Sequence, residues 1–366
     1  VMKRILILEG RETIGGGQII TKCICDVLSK KYDIAIFVPG SNNDISNLLS
    51  GYQLYHYNLK QYTRGRKTLK DYFNLIFNIY HTSVQLNEVL KKNTFDLLYI
   101  QHQNILPVAI LLAKRRKIKI ISHLHVFYID RIVRLFVDYF LNSAVVVRIF
   151  GVSNYTLTQI SLKNKKKSCV LYNPVFLREN IHIEDCNKRI AVVGDVIRSK
   201  GQHIVFESIK SLSDNYELYI IGNIIDRDYY NELLAYSVNC HFTGLISDVP
   251  DFLVKAKISL VVIPSISPFE TFSLAMTESW SLGIPTIATN AWGMKELVYT
   301  FLHEYRESML FSVGDSDELA KKISNLCSNN ILYKKISIAI HQIVSEFLSK
   351  DQFERKMLHE IAQIIN

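Results

Sequence analysis

The sequence predicts an α/β protein of two domains, each a doubly wound, Rossmann-like parallel sheet. Three observations lead there. The chain has 366 residues, enough for two domains that each bury a core. Residues 4–39 read as strand, glycine loop, helix, strand. Residues 258–289 repeat that order with a proline-bearing loop.

In the first half, RILILEG (4–10) is a short apolar run that reads as a buried strand. Gly15, Gly16 and Gly17 follow, then a helix whose apolar positions are Ile19, Ile20, Ile24, Val27 and Leu28. DIAIFVP is the next strand. The glycines let backbone N–H groups approach a ligand, or simply make a tight turn. There is no G-x-G-x-x-G, so a dinucleotide site is disfavoured. A long helix is expected from Thr68. FDLLYIQ reads as a strand, Leu106 to Leu112 as a helix core and IKIISHLH as a strand. Ile129 to Asn142 reads as a helix and VVVRIFGVS as the last strand of the domain. His123 and His125, two residues apart, share a face of their strand.

The second half opens with RIAVVGDVIRSKGQHIVFESIKSL, a strand, turn and helix. LYIIGN and CHFTGLI are strands ending at Gly222 and Gly244. Ile258 to Ile263 is an apolar strand stopped by Pro264, Ser265, Ser267 and Pro268. A helix is expected from Thr271, ended by Gly283 and Pro285. Its first N–H groups, around Thr271 to Ser273, would hold a phosphate. Glu270 and Glu278 flank that position. Carboxylates repel phosphate but accept hydrogen bonds from hydroxyls. A ligand with phosphate in the middle and polyols at both ends is a nucleotide sugar.

Pro264-Ser265, then Glu270, seven residues, Glu278, then Gly283-x-Pro285 resembles the donor signature of glycosyltransferase family 4. The resemblance implies the GT-B fold, with two doubly wound Rossmann-like domains facing across a cleft. It implies sugar transfer from a nucleotide-diphosphate sugar, a UDP-sugar first among them, to a hydroxyl with retention at the anomeric carbon. VLYNPV (170–175) resembles the family's segment crossing between domains. The expected division is therefore 1–172 on the acceptor side, 173–345 on the donor side, and a final helix, 346–366, crossing back. By resemblance Glu270 meets the transferred sugar, Glu278 the ribose, and Thr271, Phe272, Ser273 and Leu274 offer N–H groups to sugar and phosphate. The family usually has Gly where Ser273 stands. His125 matches the family's acceptor-side histidine, with His123 its rival. Gly16 and Gly17 match the N-terminal glycine loop. Gly194, Gly222 and Gly244 fall at the donor side. The family's G-R-x-x-x-K-G reads Gly194, Asp195, Val196, Ile197, Arg198, Ser199, Lys200, Gly201 here. Lys200 is kept for the leaving diphosphate, where negative charge builds. Asp195 replaces the Arg, and Arg198 is either its substitute or a surface turn residue.

Composition adds limits. Residues 1–173 carry 25 Lys and Arg against 10 Asp and Glu, a net of +15, and the remainder 18 against 24, a net of −6. Such asymmetry suits an anionic partner for the first half. Arg64, Arg66, Lys67 and Lys70 lie among Tyr62, Tyr72 and Phe73, which suggests an anionic membrane surface; no nucleic-acid reading motif accompanies the charge. The first apolar run is too short for a signal peptide, so the expected place is the cytoplasm, peripheral on the inner face of the membrane. The expected acceptor is a lipid-linked glycan or an oligosaccharide. Cys23, Cys25, Cys169, Cys186, Cys240 and Cys327 are scattered and form no C-x-x-C pair, so neither a zinc site nor a disulfide framework is suggested. Asp226-Arg227-Asp228 reads as a helix cap rather than a metal site, so no metal or other cofactor is expected. A non-catalytic nucleotide-sugar binder, or a GT-B epimerase or phosphorylase, is the alternative.

Overall fold

The computed structural model describes residues 2–12, 14–40, 44–60, 69–178, 185–212 and 215–365. They form two compact units, one of residues 1–172 with 354–366 and one of residues 173–353.

The first unit is built on seven parallel strands: β1 (Arg4–Leu8), β2 (Asp33–Pro39), β3 (Gln53–Tyr57), β4 (Leu97–Ile100), β5 (Lys119–Leu124), β6 (Val146–Gly151) and β7 (Ser168–Val170). Their order is β3-β2-β1-β4-β5-β6-β7. Ile5 to Leu8 and Leu97 to Ile100 have no exposed surface. Helices on both faces cover a parallel sheet, so its strands are continuous apolar runs. Leu8 lies opposite Phe37 on one side and Ile100 on the other. The order reverses between β1 and β4, and in open α/β sheets a ligand crevice forms beyond the strand ends at such a reversal. The end of the last helix, Lys350–Ile365, belongs to this unit: Arg148 pairs with Glu360 at 3.0 Å and Lys30 with Glu354 at 2.5 Å.

The second unit carries β8 (Arg189–Val193), β9 (Glu217–Ile221), β10 (Cys240–Gly244), β11 (Leu260–Ile263), β12 (Thr286–Thr289) and β13 (Leu310–Phe311). The order is β10-β9-β8-β11-β12-β13, again all parallel, with its reversal between β8 and β11. Each unit is thus a doubly wound, Rossmann-like sheet.

Two expectations are corrected. Cys186 and Cys327 are joined by a disulfide that closes the chain before β8 onto the helix Ser316–Ser328. The pair is 141 residues apart in sequence, a separation that carries no spacing signal. The donor-side helix begins at Leu274, not Thr271, and runs to Ser281. The backbone of residues 267–273 is held as a loop instead. Gly293 N donates to Glu270 O at 3.1 Å, and a Cβ on Gly293 would stand 2.1 Å from Thr271 O. Only glycine permits that approach.

Candidate functional site

The second unit gathers its polar side chains where β8 and β11 end. After β8 the chain passes Gly194 and makes a short turn, Arg198–Lys200, that ends in Gly201 at φ 72°. A Cβ on Gly201 would lie 2.1 Å from Pro264 O, so the turn rests directly on the end of β11. Ile266 N donates to Ser199 O across the same junction at 3.0 Å. This brings Lys200 to Glu270: Lys200 Nζ lies 2.6 Å from Glu270 Oε2, and Ser265 Oγ donates to that oxygen at 3.1 Å. The Glu270 side chain is 15% exposed and that of Lys200 35%. A cation and a carboxylate therefore meet at the reversal of strand order, still open to a ligand.

Glu278 lies one turn into the helix Leu274–Ser281. Its carboxylate has no hydrogen-bond or ion-pair partner among the described residues. Burial pushes its pKa up to about 7; the Asp248 carboxylate adds to the rise and Arg178 opposes it. Arg178 is itself engaged with Asp248 at 2.9 Å. A half-buried carboxylate with nothing to accept from is the expected state of a group waiting for ligand hydroxyls.

The remaining sequence candidates divide. Ser273 caps the helix, its Oγ accepting from Met276 N at 3.4 Å, with φ −90°. No glycine is needed there. The Thr271 amide, expected as a ligand donor, instead donates to Phe269 O at 2.9 Å. With the helix starting later, the unbonded first-turn donors are those of Leu274 and Ala275. Phe272 is buried. Arg198 ion-pairs with Glu232 and lies 4.9 Å from the Tyr229 ring centroid, so it is committed to the helix Arg227–Leu234. Gly222 faces Gly194, whose carbonyl oxygen would be 2.2 Å from an added Cβ; its role is close strand packing. Gly244 is open on that side. Asp226 caps its helix, Oδ1 accepting from Tyr229 N at 3.0 Å.

The first unit has its own cluster beyond β1, β4 and β5. Gly16 and Gly17 open the helix Gly16–Leu28 and are exposed. His125 follows β5, and its Nε2 meets Gln101 Oε1 at 2.6 Å. Burial lowers its pKa to about 3, with His102 and Arg11 lowering it further and Glu9 opposing, so the ring is neutral across the physiological range. His123 is fully buried and faces Tyr99, whose hydroxyl lies 2.9 Å from its Nδ1. Of the two histidines only His125 retains exposed surface. Glu9 and His102 were not singled out by sequence, yet Glu9 Oε1 lies 2.6 Å from His102 Nε2. A buried Glu directly after a strand, beside a glycine loop, was the one signal available.

Two doubly wound parallel sheets in one chain define the GT-B fold, and solved structures agree. The chain superposes on HepE of Anabaena, solved with UDP and glucose, with a TM-score of 0.76 at 17% identity, over 99% of this chain and 100% of that one. A glycosyltransferase from Rickettsia africae gives 0.77 at 18% identity, over 100% and 99%. The lipopolysaccharide outer core galactosyltransferase WaaB gives 0.72 at 17%, over 99% of each chain. No curated protein sequence matches. Residues 187–329, which hold Lys200, Glu270 and Glu278, match the family Glycosyl transferases group 1, and the chain carries a domain of that family.

Proposed function

We propose that the protein is a retaining glycosyltransferase that moves a sugar from a nucleotide-diphosphate sugar to a hydroxyl. The observation that carries the reading is Glu278, a carboxylate left without a partner among the described residues, in the same family-matched domain as the ion-paired Lys200 and Glu270. Glu278 accepts from the ribose hydroxyls. Glu270 accepts from hydroxyls of the transferred sugar. Lys200 moves from Glu270 to the diphosphate, where it stabilises the charge that grows as the glycosidic bond breaks. The first-turn amides of Leu274 and Ala275 add donors for phosphate. HepE, of the same fold, has been solved with UDP and with UDP-glucose, which favours a UDP-sugar as the first donor to try.

The test is release of free nucleotide from a panel of UDP-, GDP- and ADP-sugars. One donor should be consumed, and consumption should continue in EDTA, because lysine rather than a metal ion carries the diphosphate charge. Binding without release would leave a nucleotide-sugar binder; loss of release in EDTA, restored by Mg²⁺ or Mn²⁺, would reject the metal-free mechanism.

The acceptor is a lipid-linked or growing surface glycan, reached from an anionic membrane. Among the described residues no helix is long and apolar enough to cross a membrane. Arg64, Arg66, Lys67 and Tyr62 lie outside the described residues. Next to them, Leu69, Phe73, Ile76 and Tyr80 are exposed along one stripe of the helix Leu69–Lys92. Ile132, Leu135, Phe136 and Tyr139 are exposed on the helix Arg131–Leu141. Apolar side chains beside basic ones suit a headgroup layer, where each Lys or Arg adds about 1 kcal/mol. Sedimentation with anionic vesicles should recover the protein, and high salt should release most of it. Replacing Phe73, Ile76, Ile132 and Phe136 by Ser should weaken recovery. Equal recovery with neutral vesicles would reject the electrostatic part.

A further inference from the structure

The helix that follows β12, Trp292–Phe301, buries Gly293, Met294, Leu297 and Val298 in the second unit. Trp292 is not one of them; it stays half-buried at the strand end. Its backbone lies in the left-handed region, at φ 53°. The other non-glycine residues with positive φ among the described ones are Lys117, Lys188, Ser237 and Lys257. A bulky side chain rarely takes that conformation, and glycine adopts it freely. Capping does not ask for the indole either, since the cap of this helix is Ala291. Trp280 is fully buried and its Nε1 donates to Thr286 Oγ1 at 2.8 Å. Trp292 has no hydrogen bond or ring contact among the described residues.

A strained residue persists only where its surroundings hold it, and such residues gather at ligand sites. The surroundings here are the turn that carries Glu270. β12 runs beside β11, with Ala288 opposite Ile263. Thr289 Oγ1 donates to Ser265 O at 2.9 Å and to Ile263 O at 3.2 Å. Gly293 N donates to Glu270 O at 3.1 Å, and the glycine rests against Thr271 O. Trp292 thus stands between two anchors, Thr289 and Gly293, that fasten the end of β12 to the Ser265–Thr271 loop. An indole offers an apolar face and one N–H donor, and Glu270 on the same clamped turn offers an acceptor. A pyranose has the matching surface, with C–H groups on its ring face and hydroxyls at its rim.

We infer that Trp292 is a specificity-determining residue that packs its indole against the C–H face of the transferred sugar, a pyranose, while Glu270 accepts from that sugar's hydroxyls. This rests on the glycosyl-transfer reading of Glu270. The ring acts on the sugar and not on the nucleotide, so it separates donors that share a nucleotide. A charged substituent on the packed face would lose its water against the indole and is disfavoured. The left-handed backbone is retained for the contact, not for the fold.

Two measurements on the full chain test this. The first is calorimetric titration with UDP, UDP-glucose, UDP-galactose and UDP-N-acetylglucosamine. In Trp292→Gly the ratio of sugar-nucleotide to UDP affinity should fall about fivefold for at least one sugar, the worth of one aromatic contact, with UDP affinity itself unchanged. Trp292→Phe, which keeps a ring, should restore most of the ratio. The melting temperature of Trp292→Gly should not fall, because glycine relieves the left-handed backbone. A packing role predicts the reverse, a lower melting temperature with UDP and sugar-nucleotide affinities falling together. That parallel loss, or a ratio that does not change, overturns the proposal. The second measurement needs no nucleotide. Trp280 and Trp292 are the chain's two tryptophans, so 5-fluorotryptophan labelling gives two lines, and Trp292→Phe identifies the one from Trp292. Glucose alone at high concentration should move that line and leave the Trp280 line in place. Failure of the parent to bind UDP would strike the donor reading instead, and the glucose titration would still decide this one: a Trp292 line that ignores glucose overturns it.

Discussion

Replacing Lys200 with Met is expected to lower kcat by roughly two to three orders of magnitude, the usual cost of removing one group that stabilises developing charge. Nucleotide affinity should fall much less, because the charge on the leaving diphosphate is greatest in the transition state. The side chain is partly exposed, so the fold should tolerate the change, but Glu270 loses the cation 2.6 Å from its Oε2. Part of any loss could then come from an uncompensated carboxylate. The double variant Lys200→Met, Glu270→Gln, measured against Glu270→Gln alone because Glu270 has its own place on the sugar, separates the two effects. If Lys200 acts on the diphosphate, the double variant regains thermal stability without regaining kcat. If the pair is only structural, stability and kcat return together. An unchanged kcat in the single variant would place the diphosphate elsewhere.

Glu278→Gln is expected to weaken UDP binding by about tenfold or more, since a hydrogen bond to a charged acceptor contributes about 1.5–3 kcal/mol. The pH dependence is the sharper signature. The folded pKa is about 7, against 4.5 for the free side chain. Ionised Glu278 is the better acceptor, so UDP affinity of the parent should rise as pH passes upward through about 7. The Glu278→Gln variant has no proton to lose at this position, and its affinity should be flat there. Stability runs the other way. Between pH 4.5 and about 7 the native state holds a proton that the unfolded state has released. Native stability therefore falls across that window as pH rises, by up to about 3 kcal/mol, and the loss persists above it. Glu278→Gln should be more stable than the parent above neutrality and gain little in acid. Calorimetric titration with UDP and melting curves across pH read both effects. A parent whose UDP affinity ignores pH would remove Glu278 from the site.

Much of this was legible in the residues. Apolar runs such as Ile5 to Leu8 and Leu260 to Ile263 are strands because both sheet faces are covered, a property written locally in composition. The spacing of Glu270, Glu278, Gly283 and Pro285 needed only one-dimensional reading, and Lys200 followed from its own short pattern. The start of the helix after Glu270 did not, because residues 271–273 are held out of it by Gly293, a later part of the chain.

The sequence by itself determined the α/β class, the repeated strand-loop-helix-strand units and the residue types available at each strand end. These depend on sterics and apolar periodicity within a few residues. Tertiary structure alone decided which of those residues meet. Lys200 met Glu270, Glu9 met His102, and Cys186 met Cys327 because strand order, not proximity in sequence, sets their neighbours. It also turned Arg198 toward Glu232 and left His125 rather than His123 with exposed surface. The pKa of Glu278 belongs to the same class: desolvation and the nearby Asp248 charge exist only once the chain is packed.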